Sequence, residues 1–415
     1  MYKDNRGYLI FPIKDNKYMD KTTVNTSKDC TYSVNKKNVF RGLHINTFGK
    51  LITCISGKFI DIMVNMENYE VKYYNIKPGY QIYCPPNYAH GFLSLEDNSV
   101  LSYHCEGYFG SEVGGLLNYK DPYLNIKLPN YINESDIIIN EKDRTAPFLQ
   151  FDYFLLGSNG FIGSNVLCEL KNQNKKVLCL KLRMENLKEI KKLIEIYKPK
   201  YFINCAGLTG IPNTTWCNTN QSETLMTNVI NQINILNLCN EYSVHCTLIG
   251  SGAIFKSDKN PKYSYSIGDL NDDNNYYSKC RIMLEEQIKP FKNCMLLRVN
   301  YPFTFKKINL NNNKNLVLKL LKYQNIENIS LSVTNLDSMC PIIPLMIENN
   351  ETGIFNFVNS GQLNITDFYM MISQKLNITL KKPIINTNRE SIQIVPDKLE
   401  KYNVEDIYSS LKNSL

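Results

Sequence analysis

The 415-residue sequence predicts two domains, an antiparallel β-sandwich or barrel followed by an α/β domain with a doubly wound parallel sheet. Two observations predict this architecture. Short strands separated by turn residues fill the first part of the chain, whereas strands and helices alternate in the second part. The polar stretch at 130–145 separates the two patterns, so we expect domains at 1–149 and 150–415.

The strands of the first domain are indicated by short apolar runs and by the turns between them. Residues 50–55 form one such run, residues 58–64 alternate roughly with period two, and Ser56-Gly57 separates the two segments. Pro78-Gly79 and Pro85-Pro86 mark further turns. Several short strands at this spacing are typical of a sandwich or barrel.

The elements of the second domain follow one another in βαβ order. An apolar strand at 152–156 leads into a glycine turn at 157–163. The elements predicted after this turn are a helix at 164–174, a strand at 176–180, a helix at 186–197, a strand at 201–205 and a helix at 223–239. This order predicts a parallel sheet with helices on both faces.

Composition excludes several classes of protein. Hydrophobic residues make up 43% and charged residues 21%, which is typical of globular proteins and not of disordered or coiled-coil chains. The longest uncharged apolar stretches, such as 340–347, are far shorter than the ~18 residues of a membrane helix. The net charge of +8 is spread without basic blocks, so we expect no nucleic-acid or membrane partner. Without a secretory pattern at the start, we expect a cytoplasmic protein.

Neither the cysteines nor the histidines form a pattern typical of a metal site. The 13 cysteines include no Cys-x-x-Cys pair and their odd number leaves at least one unpaired, so we expect reduced thiols. A metal-binding cupin would need a His-x-His pair, but Asn46 stands two residues after His44. We therefore expect no metal.

The first domain contains three of the four histidines, His44, His90 and His104, among several short motifs. The motifs are Arg41-Gly-Leu-His44, Gly49-Lys-Leu51, Pro85-Pro-Asn-Tyr-Ala-His-Gly-Phe92, Asp121-Pro122 and Asn140-Glu-Lys-Asp-Arg-Thr-Ala-Pro147. At these positions the sequence resembles the dTDP-4-dehydrorhamnose 3,5-epimerase family, from Asp4-Asn-Arg-Gly7 to about residue 149. The resemblance implies a metal-free, cupin-like jelly roll.

The chemistry of this family explains the residue types. Inversion of a carbon beside a ketone needs a base on one face, an acid on the other and a cation near the enolate oxygen. The resemblance implies that His44 is the base and that Asp121 holds its imidazole. It also implies that Lys50 stabilises the enolate and that Tyr103 returns a proton from the opposite face.

The resemblance also implies substrate contacts. It predicts that the nucleotide diphosphate and the sugar are bound by Arg6, Arg41 and His90. One stretch departs from the family pattern. The family commonly has Gln-x-Asn-x-Ser before its Arg-Gly-Leu-His, whereas this sequence has Asp29-Cys-Thr-Tyr-Ser33. The contacts on this side, and with them the exact substrate, stay open.

The glycine turn of the second domain is typical of a dinucleotide site, because glycines let the backbone approach a pyrophosphate at a helix N-terminus. The residues predicted to bind the cofactor here are Gly157, Ser158, Asn159, Gly160, Phe161, Ile162 and Gly163, with Ala206 and Gly207 after the third strand. The second strand ends in Lys181-Leu-Arg183, where an NAD enzyme would have an acidic residue. We therefore expect Arg183 to favour the 2′-phosphate of NADPH over NADH.

Five further motifs follow in this domain. They are Asn204-Cys-Ala-Gly-Leu-Thr-Gly210, Asn213-Thr-Thr-Trp-Cys217, Gly250-Ser-Gly-Ala-Ile-Phe255, Tyr276-Tyr-Ser-Lys-Cys-Arg281 and Gly353-Ile-Phe-Asn-Phe357. Together they resemble the extended short-chain dehydrogenase/reductase superfamily and, within it, the 4-reductases and the bifunctional epimerase/reductases of rhamnose biosynthesis. The resemblance implies a Rossmann fold in which Ser251 polarises a C4 ketone and Tyr277 protonates its oxygen as NADPH delivers hydride.

Two positions depart from this second pattern. The superfamily has Tyr-x-x-x-Lys, but Arg281 stands four residues after Tyr277 and would keep the positive charge without relaying a proton. Single-domain epimerase/reductases carry a cysteine in a Thr-Gly-Cys segment, and Ala253 occupies that place here. A separate epimerase domain would make that cysteine unnecessary.

These patterns predict a 3,5-epimerase and NADPH-dependent 4-reductase acting on a UDP- or dTDP-linked 4-keto-6-deoxyhexose to give an L-rhamnose-type sugar, and we expect a homodimer. A variant keeps the chemistry but uses the 2-acetamido sugar and inverts only C3. A second alternative is an active epimerase whose reductase domain is only a cofactor-binding scaffold. A third makes the jelly roll a carbohydrate-binding module.

Overall fold

A computed structural model of the chain divides into two compact units, Met1–Leu149 and Gln150–Leu415. It describes residues 2–4, 7–13, 28–108, 113–211, 213–255, 275–306, 314–323, 325–377, 384–386, 393–396 and 398–414. The first unit is built of antiparallel sheets and the second around a parallel sheet with helices, so the predicted fold class is confirmed.

The first unit contains two antiparallel sheets. Its elements are β1 (Tyr2–Asp4), β2 (Gly7–Ile13), β3 (Asp29–Asn35), β4 (Phe40–Asn46), β5 (Lys50–Ser56), β6 (Phe59–Asn65), β7 (Val71–Ile76), β8 (Gln81–Cys84), β9 (Tyr88–Ser94), β10 (Ser99–Cys105), β11 (Val113–Leu116) and the short helix α1 (Glu141–Arg144). The strand orders are β1-β2-β3-β10-β5-β8 and β11-β4-β9-β6-β7.

A compact apolar core fills part of this unit. Strand alternation directs every second side chain of a strand to the same face. Ile52 and Cys54 of β5 are buried in this way, together with Leu101 of β10. They pack with Phe59 and Phe92 from the other sheet, whose rings meet edge to face at 5.4 Å between centroids.

The second unit contains a six-stranded parallel sheet and smaller two-stranded sheets. Its strands are β12 (Tyr153–Leu156), β13 (Val177–Leu180), β14 (Tyr201–Asn204), β15 (His245–Ser251), β16 (Cys294–Val299), β17 (Asn325–Glu327), β18 (Ser330–Leu331), β19 (Gly353–Asn356), β20 (Leu363–Asn364) and β21 (Ile384–Asn386). Its helices are α2 (Phe161–Asn172), α3 (Leu187–Tyr197), α4 (Trp216–Thr219), α5 (Gln221–Leu225), α6 (Asn231–Glu241), α7 (Tyr276–Ile288), α8 (Leu316–Lys322), α9 (Leu336–Met339), α10 (Ile342–Glu348), α11 (Ile365–Leu376) and α12 (Ile407–Ser414).

The strand order of the parallel sheet determines where a ligand can bind. The order is β13-β12-β14-β15-β16-β19, so the chain passes from β12 to β13 on one side and then to β14 on the other. Sheets of this kind bind ligands outside the carboxyl ends of the strands at such a reversal. The reversal lies between β12 and β14, where the glycine turn begins.

Two helices differ in detail from the sequence prediction. The helix expected from residue 164 begins at Phe161, because Gly160 adopts the extended conformation of an N-cap and the first turn includes the end of the glycine motif. The helix expected at 223–239 runs through α5 and α6 and contains a π-helical turn at Met226–Ile230. No helix of the described residues is both long enough and apolar enough to cross a bilayer.

A buried ion pair joins α7 to the parallel sheet. Arg298 of β16 binds both carboxylate oxygens of Glu285, with Nε–Oε1 and Nη2–Oε2 distances of 2.9 and 2.6 Å. Its Nη1 donates to the Oδ1 atom of Asn356, and its guanidinium lies 5.1 Å from the ring centroid of Phe255. Both charged side chains are almost completely buried, so each depends on the other for its polar contacts.

Removing one member of this pair should strongly destabilise the second unit. We expect Arg298→Ala to lower its free energy of unfolding by about 3–5 kcal/mol, because Glu285 would remain buried without its partner. The single tryptophan, Trp216, lies in this unit, so its fluorescence in a urea titration measures the change. Lys289→Ala is the matched control, since it breaks an exposed pair with Glu286 and should cost below about 1 kcal/mol. Equal costs would contradict this assignment.

Candidate active sites

The first candidate site lies between the two sheets of the first unit. Lys50 from β5 and Tyr103 from β10 belong to one sheet, and His44 from β4 and His90 from β9 belong to the other. The charges of Lys50 and His44 both act on the pKa of His90. The charge of Asp61 acts on the pKa of both His90 and Tyr103, so the four predicted side chains share one electrostatic environment.

The imidazole of His44 is held by a buried carboxylate. Its Nε2 atom lies 2.9 Å from Oδ1 of Asp143, which is 1% exposed. The second oxygen of Asp143 accepts the backbone N–H of Gly42, and its own N–H caps α1 by donating to Asn140. The carboxylate is therefore fixed in position, and His44 is oriented to act as a base.

The prediction that Asp121 holds His44 is wrong. Its Oδ1 atom accepts the backbone N–H of Tyr123 at 2.9 Å, and its Oδ2 atom accepts that of Leu149 at 2.7 Å. Asp121 thus stabilises a turn and fixes the end of the unit. Asp143 was visible in the motif at 140–147, but the sequence alone gave no reason to prefer it over Asp121.

Lys50 is 7% exposed and lies between two cysteines on neighbouring strands. Cys84 is its cross-strand partner on β8, and Cys105 is its partner on β10. Burial raises the pKa of each thiol to about 11, although the charge of Lys50 opposes the shift. The thiols are therefore neutral near pH 7 and do not cancel the positive charge that an enolate oxygen would need.

Tyr103 keeps its proton throughout the ordinary pH range. Burial raises its pKa well above the ordinary value, while the hydrogen bond between Tyr103 and Ser33 and the charge of Arg41 oppose this change. The Tyr103 hydroxyl lies 3.2 Å from Oγ of Ser33. A protonated phenol between the sheets is suited to donate a proton and not to remove one.

A second histidine–carboxylate pair lies in the same space and includes a residue that the sequence analysis missed. Nε2 of His90 lies 2.7 Å from Oδ2 of Asp61, and both side chains are buried. Burial lowers the pKa of His90, although Asp61 opposes the shift. The signal in the sequence was a single carboxylate inside the apolar strand at 59–65. Oδ1 of Asp61 and Oγ1 of Thr31 are buried without a hydrogen-bond partner in the described part of the chain.

The substrate residues predicted on this side are only partly described. Nε of Arg41 donates to Oδ1 of Asn35 at 2.8 Å, so one edge of its guanidinium is fixed within the protein. Arg6 lies outside the described residues. His90 lies at the site, and its role in binding substrate stays a prediction.

The glycine turn of the second unit forms a close-packed cradle. Gly157 has a φ angle of +78°, and a Cβ atom there would lie 2.6 Å from the backbone nitrogen of Ala206. A Cβ atom on Gly163 would overlap the carbonyl oxygen of Gly157. Only glycine fits these two positions, and the turn leads directly into the N-terminus of α2. The geometry matches a pyrophosphate-binding turn.

The loop after β14 is held by buried amide side chains. Asn204 accepts the N–H of Ala206, and Gln232 donates to the carbonyl of the same residue. Asn228 binds both the N–H and the carbonyl oxygen of Leu208, at 2.9 and 2.7 Å. The predicted cofactor residues Ala206 and Gly207 therefore lie on a rigid loop beside the glycine turn.

The basic residues expected to select the cofactor lie just after β13. The side chains of Lys181 and Arg183 are both exposed, and the backbone N–H of Arg183 donates to Oδ1 of Asn186. An exposed guanidinium at this strand end is accessible to the 2′-phosphate of a cofactor that enters from solvent. Its role is untested by the geometry and stays a prediction.

The second set of catalytic candidates is built around the start of α7. Asn275 caps this helix by accepting the N–H of Tyr277, and Ser278 donates to the carbonyl of Ala253. Oγ of Ser251 accepts the N–H of Ala253 at 3.1 Å. These bonds tie the turn that carries Ser251 to the helix that carries Tyr277.

Arg281 lies one helical turn after Tyr277 and is buried. Its guanidinium carbon is 5.0 Å from the centroid of the Tyr277 ring, and Nη1 donates to the carbonyl of Ile249. A Cβ atom on Gly207 would lie 3.1 Å from its Nη2 atom. Its Nε atom has no hydrogen-bond partner within the described residues. Arg281 therefore places its charge between the tyrosine and the cofactor loop.

No group of three or more residues that could hold a metal ion is present among the residues that the structure describes. A nicotinamide dinucleotide, in contrast, fits the residues present. The glycine turn leaves room for its pyrophosphate, and Nε of Arg281, which has no partner among the described residues, can donate to it. The residues that would hold it are the glycine turn, the loop at 204–210 and Arg281.

The two units match two different protein families. The family model for dTDP-4-dehydrorhamnose 3,5-epimerase matches residues 1–150, and that for the NAD dependent epimerase/dehydratase family matches residues 153–299. A bifunctional dTDP-4-dehydrorhamnose 3,5-epimerase/dTDP-4-dehydrorhamnose reductase from Arabidopsis thaliana is 32% identical over 228 residues, which are 53% of this chain and 74% of that protein.

Two further comparisons cover different shares of their partners. A trifunctional UDP-glucose 4,6-dehydratase/UDP-4-keto-6-deoxy-D-glucose 3,5-epimerase/UDP-4-keto-L-rhamnose-reductase from the same plant is 32% identical over 57% of this chain, and the match spans only 35% of that protein. The crystal structure of a dTDP-4-dehydrorhamnose reductase from Bacillus anthracis, in complex with NADP, has a TM-score of 0.55 and 15% identity over 65% of this chain and 99% of that one. The likeness to the Bacillus anthracis structure shows the fold of the second unit. The bifunctional Arabidopsis protein is 32% identical to this chain, and the match covers 74% of its length. The chain therefore belongs to the family of bifunctional dTDP-4-dehydrorhamnose 3,5-epimerase/dTDP-4-dehydrorhamnose reductases.

Proposed function

We propose that this chain epimerises a nucleotide-linked 4-keto-6-deoxyhexose in its first unit and reduces the C4 ketone with NADPH in its second. The observation that carries the proposal is the His44–Asp143 pair in the same space as Lys50 and Tyr103. A carbohydrate-binding module would have no need for a histidine held by a buried carboxylate in the same space as a buried lysine and a tyrosine. The family of the chain supports both activities.

In the epimerase site, His44 removes the proton from the carbon beside the ketone, and Asp143 stabilises the resulting imidazolium. The positive charge of Lys50 stabilises the enolate oxygen. Tyr103 then donates its proton to the same carbon from the opposite face, which inverts the centre. Positioned acid and base groups of this kind contribute about 10²–10⁴-fold each. Oγ1 of Thr31 and Oδ1 of Asp61 are buried and have no hydrogen-bond partner among the described residues. The hydroxyl of Thr31 would donate to or accept from the sugar, and the carboxylate of Asp61 would accept from it.

In the reductase site, a bound nicotinamide dinucleotide would supply the hydride. Tyr277 donates a proton to the ketone oxygen, and the Ser251 hydroxyl donates a hydrogen bond to that oxygen because its own oxygen already accepts from Ala253. Arg281 places a positive charge beside this tyrosine, with its guanidinium carbon 5.0 Å from the ring centroid. Its free Nε–H is suited to a ribose hydroxyl.

The cofactor is NADPH in this proposal. Arg183 and Lys181 present two exposed positive side chains after β13, at the end of the strand where an acidic residue would bind the ribose of NAD. A reductase with the same fold has been crystallised with NADP, which supports the choice.

The product is an L-rhamnose-type nucleotide sugar. Relatives named for dTDP substrates and relatives named for UDP substrates match this chain with the same identity, so both nucleotides are candidates. The 2-acetamido sugar would use the same chemistry, and assays with each keto sugar would distinguish these substrates. A second candidate function, an epimerase with a cofactor-binding scaffold, is favoured by one observation only, the arginine in place of the motif lysine.

The His44–Asp143 pair can be tested by measuring the exchange of sugar hydrogens with solvent deuterium in the absence of NADPH. We expect His44→Asn to stop the incorporation of deuterium at C3 of the keto sugar, and Asp143→Asn to slow it at least tenfold, because the base is lost or no longer held. Mass spectrometry of the recovered sugar measures both effects.

Asp121→Asn is the comparison for this experiment. It should retain exchange and instead lower the free energy of unfolding by about 1–3 kcal/mol, since it removes a charge that accepts backbone N–H groups. Full exchange in His44→Asn would remove the proposed base.

Cofactor preference can be tested at the strand end. We expect the unmodified protein to prefer NADPH, and Arg183→Ala to reduce that preference about tenfold by removing a charge-assisted contact worth ~1.5–3 kcal/mol. The ratio of kcat/KM for NADPH and NADH is the measurement. Lys188→Ala, an exposed lysine of α3, should leave the ratio unchanged. Equal use of both cofactors by the unmodified protein would count against Arg183.

The role of Arg281 distinguishes a reductase from a scaffold. We expect Tyr277→Phe to reduce NADPH consumption at least 100-fold and to leave epimerisation unchanged, because the two reactions use different units. Arg281→Lys should retain or increase reduction, whereas Arg281→Ala should lose it with the charge and the ribose contact.

Lys279→Ala changes an exposed cation of the same helix and is the matched control, with unaltered rates expected. The unmodified protein must consume NADPH in the presence of an epimerised keto sugar. Tight NADPH binding without consumption, for every nucleotide and C2 substituent, would show that the second unit is a scaffold.

A further inference from the structure

We propose that Ser33 and Asn35 are positioning residues for Tyr103 and direct its proton toward the substrate. A hydrogen-bonded chain of buried side chains connects the phenol to the guanidinium of Arg41. This inference rests on the proposed function and extends it to two residues that contact neither reacting atom. Ser33 is the last residue of the stretch at 29–33, which departs from the epimerase family at other positions, and Asn35 follows it.

The chain has three links. The hydroxyl of Tyr103 lies 3.2 Å from Oγ of Ser33, and Oγ of Ser33 lies 3.1 Å from Nδ2 of Asn35. Oδ1 of Asn35 accepts Nε–H of Arg41 at 2.8 Å. Ser33 and Asn35 are each 1% exposed, so water does not compete for these bonds.

The orientation of the Asn35 amide is fixed by its neighbours. Its nitrogen also faces the backbone carbonyl oxygens of Ser33 and Ser99, at 3.1 and 3.2 Å, and these atoms can only accept. Its oxygen faces a guanidinium, which can only donate. In the bond between the two side chains the amide can only be the donor, and it shares its two hydrogens among Oγ of Ser33 and the two carbonyl oxygens.

The direction of the next bond follows from hydrogen-bond bookkeeping. In the described part of the chain, Oγ of Ser33 has two polar side-chain partners, the amide of Asn35 and the phenol of Tyr103. Since Ser33 accepts from Asn35, its own hydrogen has an acceptor only if it points to the phenol oxygen. Ser33 thus donates to Tyr103, and the proton of Tyr103 is left for the substrate.

This arrangement assists the proton transfer that inverts the sugar. The O–H bond of Tyr103 breaks as a C–H bond forms at the enolate carbon, and the phenolate that remains keeps the hydrogen bond from Ser33. His44 releases its proton to solvent and Tyr103 regains one, so the charges balance over the cycle. The direction of the effect agrees with the pKa of Tyr103, which Ser33 and Arg41 both lower against the larger effect of burial.

Ser33→Ala is a suitable test because it should not disturb the fold. After the change, the two hydrogens of the Asn35 amide still have two backbone acceptors, on residue 33 and on Ser99. The variant therefore removes the donor to Tyr103 and leaves the rest of the chain in place.

The experiment separates proton removal from proton return. The full chain is incubated with keto sugar in D₂O without NADPH, and deuterium in the uninverted sugar is measured together with the amount of inverted product. In Ser33→Ala we expect inversion to fall about tenfold, as for loss of a hydrogen bond to a charged group. Deuterium entry into uninverted sugar should be unchanged, because His44 still removes the proton and returns a deuteron to the same face.

Two further variants complete the test. Ser33→Ala in a Tyr103→Phe background should add no further loss, since both changes act through one phenol. Ser102→Ala removes another buried serine of the same sheet, which contacts Cys30, and should change neither rate. An equal loss of exchange and inversion in Ser33→Ala, or additive losses in the double variant, would overturn the inference alone. Absence of exchange and inversion in the unmodified protein would overturn the proposed function as well.

Discussion

The cost of burying ionisable side chains between two β-sheets governs the first unit. A charge removed from water is tolerated only when a partner is held close to it. Two buried carboxylates meet this condition through histidines from other parts of the chain, Asp143 through His44 and Asp61 through His90. Each carboxylate fixes one ring, so both imidazoles are already oriented before any ligand binds.

The second unit achieves the same orientation through its backbone. Gly157 and Gly163 allow main-chain segments to approach more closely than any side chain permits, which brings the glycine turn against the loop after β14. That loop is held in turn by Asn228 and Gln232 from one long helix. The first site is therefore assembled from side-chain pairs across sheets, whereas the cofactor site is assembled from turns at the carboxyl ends of parallel strands.

This difference explains what the sequence could predict. The fold class and the glycine turn follow from local patterns, namely alternation, βαβ order and glycine spacing. Such patterns can be recognised in a single sequence. The carboxylate that holds His44 is 99 positions away from it, and the resemblance to the family led us to expect Asp121 instead. Backbone contacts decide between them, because Asp121 is used by the N–H groups of a turn while Asp143 is aimed by the cap of α1. Asp61 was missed because a single acidic residue in an apolar strand has no local partner to reveal its role.

The replacement of the motif lysine by Arg281 can be understood from the same geometry. A guanidinium has several donors in one plane, so it can bind the carbonyl of Ile249 through Nη1 and still keep its charge 5.0 Å from the centroid of the Tyr277 ring. It needs more room than an ammonium group, and the absence of a side chain at Gly207 supplies that room next to Nη2. In the proposed reductase site the electrostatic part of the lysine's role would therefore be preserved, because it depends only on the position of a positive charge. Proton relay is not preserved, since arginine does not give up its proton, so Tyr277 must be reprotonated by a route that does not pass through residue 281.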